Sequence, residues 1–287
     1  MATDGRVASK LFRRDMMGPH FGNVAASVVG LVLVQKLTLE VLVVPWLPTL
    51  LSLEARLGRP TFLLCSGQGL GFLGLWGFGG LFSIPALVHA RRWKIQQRRS
   101  LDVPALCRSL PLVFFNTALG NVIASFGMLW FLSERCFVFA EVPGTWKLVC
   151  DAIVSLALQE VFFFYLHRWM HENKRMYQQI HKIHHTWTSP CALTSIYCHP
   201  LEHALCNIFP LLVGPLICQM HLLQISVFLF VSLIHTCAVH SGYWICDDNG
   251  MHDEHHRFFN CNYGTHGIMD SLHGSYRLPE EAARQKQ

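Results

Sequence analysis

Residues 204–239 read ALCNIFPLLVGPLICQMHLLQISVFLFVSLIHTCAV, thirty-six residues without Asp, Glu, Lys or Arg. One transmembrane helix needs about twenty apolar residues, so two full crossings need roughly forty plus a turn. The run falls short of that, and Pro210, Gly214, Pro215 and His221 interrupt it. The expectation is a short re-entrant helical hairpin that enters and leaves on one side. A single long crossing would put its two flanks on opposite sides of a membrane. The flanks carry the chemistry of this chain, so the hairpin decides whether that chemistry can converge.

Of seventeen histidines, fifteen lie at or after His167. Eight form three tight clusters: HRWMH (His167, His171), HKIHH (His181, His184, His185) and HDEHH (His252, His255, His256). Spacings of three and four put side chains on one helix face, and imidazole is the commonest metal ligand among side chains. Eight imidazoles exceed the four ligands of one tetrahedral zinc site, so two metal ions are expected. Iron, zinc, copper and nickel all accept imidazole. His240, at the return end of the hairpin, is placed to complete the site. His199 and His203, four apart in HPLEH, are possible further ligands, although Pro200 disfavours a continuous helix through His199. Glu160 and Glu202 are candidate acceptors that orient ligand imidazoles.

Composition agrees with a membrane setting. The chain is 52% hydrophobic and 14% charged, against about 25% charge in soluble domains, and its mean hydropathy is +0.32. The net charge of +5 is modest. Each basic patch abuts an apolar run, which argues against a nucleic-acid partner. Eleven cysteines without a CxxC pair argue against a zinc ribbon or a disulfide framework.

Four spans are predicted before the hairpin: Asn23 to Leu47, closed by Pro45 and Pro48; the charge-free Pro60 to Val88; Leu110 to Leu132; and Trp146 to Leu166. Lys36 and Glu40 are positioned to pair on one helix face. Seven glycines in the second span suit close helix contact. The block ARRWKIQQRR (Ala90 to Arg99) favours the cytosolic side. With a cytosolic N-terminus, four crossings bring that block and the histidines to the same side. The expected architecture is therefore an all-α integral membrane protein of about four transmembrane helices plus a short re-entrant hairpin, under a cytosolic histidine-rich cap. Its segments are a polar basic N-terminus (1–20), transmembrane helices (21–155), a catalytic region (156–274) and a polar tail (275–287).

Together HRWMH, HKIHHTWTSP, YCHPLEH, HSGY, HDEHH and FNCNYG…DSLHGS, from about Leu156 to Gly274, resemble the fatty acid hydroxylase/sterol desaturase superfamily. The pattern is most similar to the branch of C4-methylsterol oxidases and fatty acid hydroxylase domain-containing proteins. The resemblance implies a membrane-bound di-iron monooxygenase that hydroxylates a lipid, of sterol C4-methyl or fatty acyl type, with O2. It implies electrons from NAD(P)H through cytochrome b5 or its reductase, and a place in the endoplasmic reticulum membrane. By matching positions it makes His167, His171, His181, His184, His185, His252, His255 and His256 the metal ligands, with His240 a further one. Zinc is a possible occupant of isolated protein. A lipid desaturase and a non-catalytic metal-binding membrane protein are the alternatives. The eight residues WICDDNGM between HSGY and HDEHH are fewer than many relatives have, and Ser275 stands where the family often has Thr.

Overall fold

The computed structural model describes residues 14–137, 143–244 and 249–279. Most of the 1–20 segment, most of the 275–287 tail and part of WICDDNGM lie outside the described residues. Among those described, every regular element is helical, apart from one isolated bridge between Lys94 and Tyr243. Six helical stretches are long and apolar enough to cross a membrane: Gly22–Leu57, Arg59–Leu87, Val103–Phe131, Thr145–Glu172, Pro200–Ile217 and Leu222–Val239. The ten described cysteines are all free.

The first stretch corrects the expected stop at Pro45 and Pro48. Helix α1 (Arg14–Leu37) passes through a π turn (Thr38–Val43) and a 3-10 turn (Val44–Trp46) into α2 (Leu47–Leu57). Pro48 sits in the first turn of α2, where its missing N–H has no intrahelical partner to lose. The reversal comes at Gly58, with φ 74°, a conformation open to glycine. Lys36 and Glu40 do pair, at 3.9 Å on an exposed face. The second stretch runs from α3 (Arg59–Phe72) through a π segment (Leu73–Gly79) into α4 (Gly80–Leu87). Among its glycines, Gly71, Gly74 and Gly79 are buried, whereas Gly69 and Gly80 face open space. The glycine-rich span is therefore packed along one face only.

Helix α5 (Val103–Phe131) starts where the Asp102 side chain accepts from Ala105 N, a capping bond that satisfies an otherwise unpaired donor. Helix α6 (Thr145–Glu172) ends at Asn173, whose side chain caps the short α7 (Lys174–Gln179).

The hairpin is deeper than expected. Its descending arm joins a single helical turn, α8 (Pro200–Glu202), to a π segment (His203–Ile208) and α9 (Phe209–Ile217). Its ascending arm is α10 (Leu222–Val239). Pro200 starts the first arm rather than blocking it, and His221 caps the second by accepting from Leu223 N at 3.2 Å. Each arm has 18 residues, about 27 Å at helical rise, close to the ~30 Å hydrocarbon thickness. The tip reaches the far end of α5. There Gln219 donates to Phe131 O at 2.9 Å and accepts from Ser133 N at 2.8 Å. The short re-entrant element is thus a full-depth hairpin that still returns to the end it left. Trp130 and Trp146, 84% and 78% exposed, mark that far end as an aromatic belt does.

In a bilayer, helices associate through close packing rather than through loss of water. Leu148, Ala152 and Leu156 of α6 pack with Leu212, Ile225 and Phe228 of the hairpin in one buried cluster. Gly214 is the closest approach. A Cβ there would stand 2.5 Å from Ser155 Cα, which is backbone and unable to yield. Gly214→Val is expected to destabilise the bundle by at least about 1–3 kcal/mol. Less monodisperse protein after detergent extraction is the readout, and an unchanged yield and melting temperature would contradict this packing.

Candidate metal centre

Four elements deliver nine histidines to one end of the bundle. His167 and His171 stand on the last two turns of α6. His181, His184 and His185 lie on a 3-10 helix (His181–Thr186). His240 caps the end of α10. His252, His255 and His256 come from α11 (Met251–Phe258), bounded by Gly250 and Phe259 in left-handed conformations.

They sort into two groups, His167, His171, His181, His185 and His255 in one and His184, His240, His252 and His256 in the other. Within each group one nitrogen per ring lies within 4.8 Å of all the others. In the first, His181 Nε2 is 2.8 Å from His171 Nε2 and 2.9 Å from His185 Nε2. In the second, His252 Nε2 is 2.8 Å from His240 Nε2 and 3.1 Å from His256 Nε2. The paired histidines of each HxxHH motif separate. His185 and His255 enter the first group, and their neighbours His184 and His256 the second. Each motif therefore serves both groups, because consecutive side chains on a helix point in different directions.

The far nitrogens explain the convergence. His167 Nδ1 donates to Tyr263 O at 2.8 Å, His255 Nδ1 to Cys261 O at 2.7 Å and His181 Nδ1 to Glu202 Oε1 at 2.8 Å. In the second group, His240 Nδ1 donates to Thr236 O at 2.7 Å, His256 Nδ1 to Trp187 O at 2.9 Å and His184 Nδ1 to Tyr197 O at 3.3 Å. A carbonyl oxygen only accepts, so in the five rings that face a carbonyl the proton resides on Nδ1 and Nε2 is left a bare lone pair. Burial pushes His184 down to about 4 and His181 down to about 3, so these rings are neutral near pH 7. Such lone pairs, two in the first group and three in the second, lie within 4.8 Å of one another and repel, and a cation among them removes the conflict. Imidazole–metal distances of about 2.0–2.1 Å imply nitrogen separations of roughly 3–4 Å around one ion, as found here. The donor set therefore fits two metal ions. His185 Nδ1 is buried without a partner among the described residues, so its ring lacks the orienting bond that six others have.

The segment after α11 holds this frame. Asn262 Nδ2 donates to Met251 O and Arg277 O. Asp270, on α12 (Ile268–His273), accepts from Tyr263 N, Gly264 N and Ser275 Oγ. Glu160 accepts from Thr265 N, Thr265 Oγ1, His266 N and Met269 N. It thus fixes the loop that presents the Tyr263 carbonyl, one step further from the imidazoles than expected. Glu202 does bond an imidazole directly. On the other flank the basic linker lies across the cap. Gln96 donates to Asp253 Oδ2 at 2.9 Å, and Ile95 N donates to Gly242 O. The Arg91–Arg99 block and the histidines therefore share one end of the bundle.

A family model described as "Fatty acid hydroxylase" matches residues 152–275, the stretch that supplies all nine histidines. Fatty acid hydroxylase domain-containing protein 2 of Homo sapiens is 33% identical over 70% of this chain and 62% of its own length. The chain belongs to the fatty acid hydroxylase superfamily. Fatty acid hydroxylase ahd1 of Mycosarcoma maydis is 32% identical over 74% of this chain and 56% of its own. A putative methylsterol monooxygenase of Dictyostelium discoideum is 27% identical over 64% and 73%. This chain thus spans less than two thirds of the human relative. No solved structure matches it.

A cavity of about 170 Å³ opens beside the two groups and runs between the helices of this superfamily member. His167, His181, His184, His240 and His252 contribute to its wall at one end, and Leu211, Leu229 and Leu233 further in. Two possible ligands stand outside both groups. His199 Nδ1 accepts from Leu201 N at 3.1 Å and caps the turn that Pro200 begins. His203 Nδ1 accepts from Asn207 at 3.2 Å in the cavity wall. Of the aromatics near the clusters, Phe163 lines the cavity. Phe162 packs on Phe209, Phe164 on Tyr263, and Tyr165 and Trp169 are exposed. Asn262, Asp270 and the carbonyl acceptors escaped sequence reasoning, because nothing in their side-chain types or spacing points to a metal.

Proposed function

We propose that this chain is a membrane-bound di-iron monooxygenase that hydroxylates a lipid with O2. One observation carries the reading: two clusters of neutral, oriented Nε2 donors stand at the head of an apolar cavity that descends between membrane-length helices. His167, His171, His181, His185 and His255 would hold one ion, and His184, His240, His252 and His256 the other. Iron, when bound, supplies the redox chemistry that activates O2 toward an unactivated C–H bond. The protein's part is to hold the ligands through carbonyl and carboxylate acceptors and to present a lipid carbon to them. Leu211, Leu229 and Leu233 take the apolar body of that lipid and keep water from it. A sterol C4-methyl or a fatty acyl carbon both suit such a cavity. The electrons are proposed to come from NAD(P)H through cytochrome b5 or its reductase. The N-terminus and the metal centre are proposed to face the cytosol from the endoplasmic reticulum, in keeping with the Arg91–Arg99 block beside the cap.

The test is metal analysis of purified protein, followed by reduction and O2 in the presence of lipid extract. About two irons per chain and lipid-dependent O2 uptake with a product sixteen mass units heavier are expected. Loss of two mass units would identify a desaturase instead. Zinc-only protein without lipid-dependent O2 uptake after iron loading would overturn the oxygenase reading.

A further inference from the structure

The cavity has leucines in its inner wall, yet three carboxamides line it, Asn121, Gln159 and Asn207. Gln159 and Phe163 both line it, as does His167, four residues apart in turn on α6. They form one column on a single helix face. Gln159 lies eight residues before His167, on the order of 12 Å along the axis. It makes no hydrogen bond among the described residues, and its Oε1 is sealed from solvent. Asn207, from the π segment of the opposite wall, also lines the cavity. Its Nδ2 is spent on His203 Nδ1 at 3.2 Å and Cys198 Sγ at 3.7 Å. These two contacts hold the Asn207 amide in the wall. Asn207 Oδ1 accepts from no donor among the described residues.

Of the other polar groups of this wall, Glu202 Oε2 lacks a partner among the described residues but belongs to the metal-centre end, where Glu202 holds His181; two further in are matched. Asn121 donates to Gln68, which donates to Ala118 O, and Thr117 donates to Val113 O. A primary amide without a partner is unfavourable inside a membrane protein. Here one such amide offers both a donor and an acceptor, and a second offers an acceptor. A hydroxyl group, which donates once and accepts, complements both.

We propose that Gln159 and Asn207 form a subsite for a hydroxyl group of the lipid, so that the substrate is a lipid alcohol rather than a bare hydrocarbon chain. The subsite stands about two helical turns from the metal-facing imidazoles, so the hydroxyl lies remote from the carbon that reacts. A site that hydrogen-bonds an OH rejects the analogue lacking it, because its own polar groups are then left unpaired. The proposal rests on the reading of the chain as a lipid oxygenase, and its test separates the two.

The experiment measures equilibrium binding to full-length, iron-loaded protein in nanodiscs without O2, so that turnover plays no part. Two matched pairs serve as probes: cholesterol against its 3-deoxy counterpart, and octadecanol against octadecane. On at least one scaffold the alcohol is expected to bind tenfold or more tighter. Gln159→Leu is expected to bring that preference below threefold without weakening affinity for the deoxy lipid, and Asn207→Leu to reduce it independently. Equal binding within both pairs, binding of neither member, or a preference that survives in both variants overturns the subsite. Admitting O2 and reductant then tests the other reading. A hydroxyl preference without lipid oxidation leaves the subsite standing and removes the oxygenase, and oxidation without the preference does the reverse.

Discussion

His184→Ala is expected to bring bound metal from about two ions per chain to about one and to lower lipid-dependent O2 uptake by at least ~100-fold. The second group has four imidazoles, so the change leaves three. Loss of a mere orienting partner costs 10–100-fold in metal affinity, and loss of a ligand is the larger change. The first group keeps all five of its members, and one ion is retained there. Membrane insertion is expected to be unaffected, because His184 is buried in the cap and contributes nothing to the apolar helix faces. Carbonate extraction and metal analysis of the same preparation check both halves. A variant that keeps two ions and full activity would remove His184 from the site. His199→Ala is the matched control. It loses one capping bond, worth about 0.5–2 kcal/mol, and is expected to keep both ions.

How far the fold could be read in advance depended on what each boundary is made of. The apolar stretches within Arg59–Leu87, Val103–Phe131 and Thr145–Glu172 were legible, because a helix is the simplest way to satisfy a lipid-exposed backbone. Their ends were less so. Pro48 and Pro200 look like breaks, yet both sit in a first helical turn. Counting residues 204–239 alone hid the hairpin's depth. Its descending arm begins at Pro200 and includes Glu202, a carboxyl group that hydropathy counts against a span but that is buried in a hydrogen bond with the His181 ring. Eight histidines were legible by type and spacing, and His240 by its place at the return end of the hairpin. Their division between two groups was not, since it depends on how His184 and His185 splay on a 3-10 helix. Nor were the partners of Nδ1, most of which are backbone carbonyls. A carbonyl has no side-chain identity, so Tyr263, Cys261, Trp187 and Thr236 serve the site without any mark in the sequence.

Glu160→Ala is expected to unsettle the metal centre from outside it. The carboxylate accepts three backbone N–H groups and one hydroxyl from residues 265–269, and it is itself buried. Removing it leaves those donors unpaired, at about 1–3 kcal/mol for each buried group, so a loss of at least ~3 kcal/mol is expected. The same loop carries Tyr263, whose carbonyl fixes the His167 tautomer, and its neighbour Gly264 packs so closely that a Cβ would stand 2.8 Å from Glu160 Oε1. Loosening the loop therefore frees the His167 ring to turn, or to move its proton to Nε2, where it opposes a metal. Tenfold or greater loss of affinity for the ion of the first group is expected, with the second group's ion retained. Glu160→Gln separates shape from charge. It keeps one acceptor oxygen but points an NH2 at donors, so it is expected to fall between wild type and alanine. Thermal unfolding with and without added Fe(II), beside metal titration, checks both effects. Two tightly bound ions in Glu160→Ala would show that Tyr263 holds its place without this carboxylate.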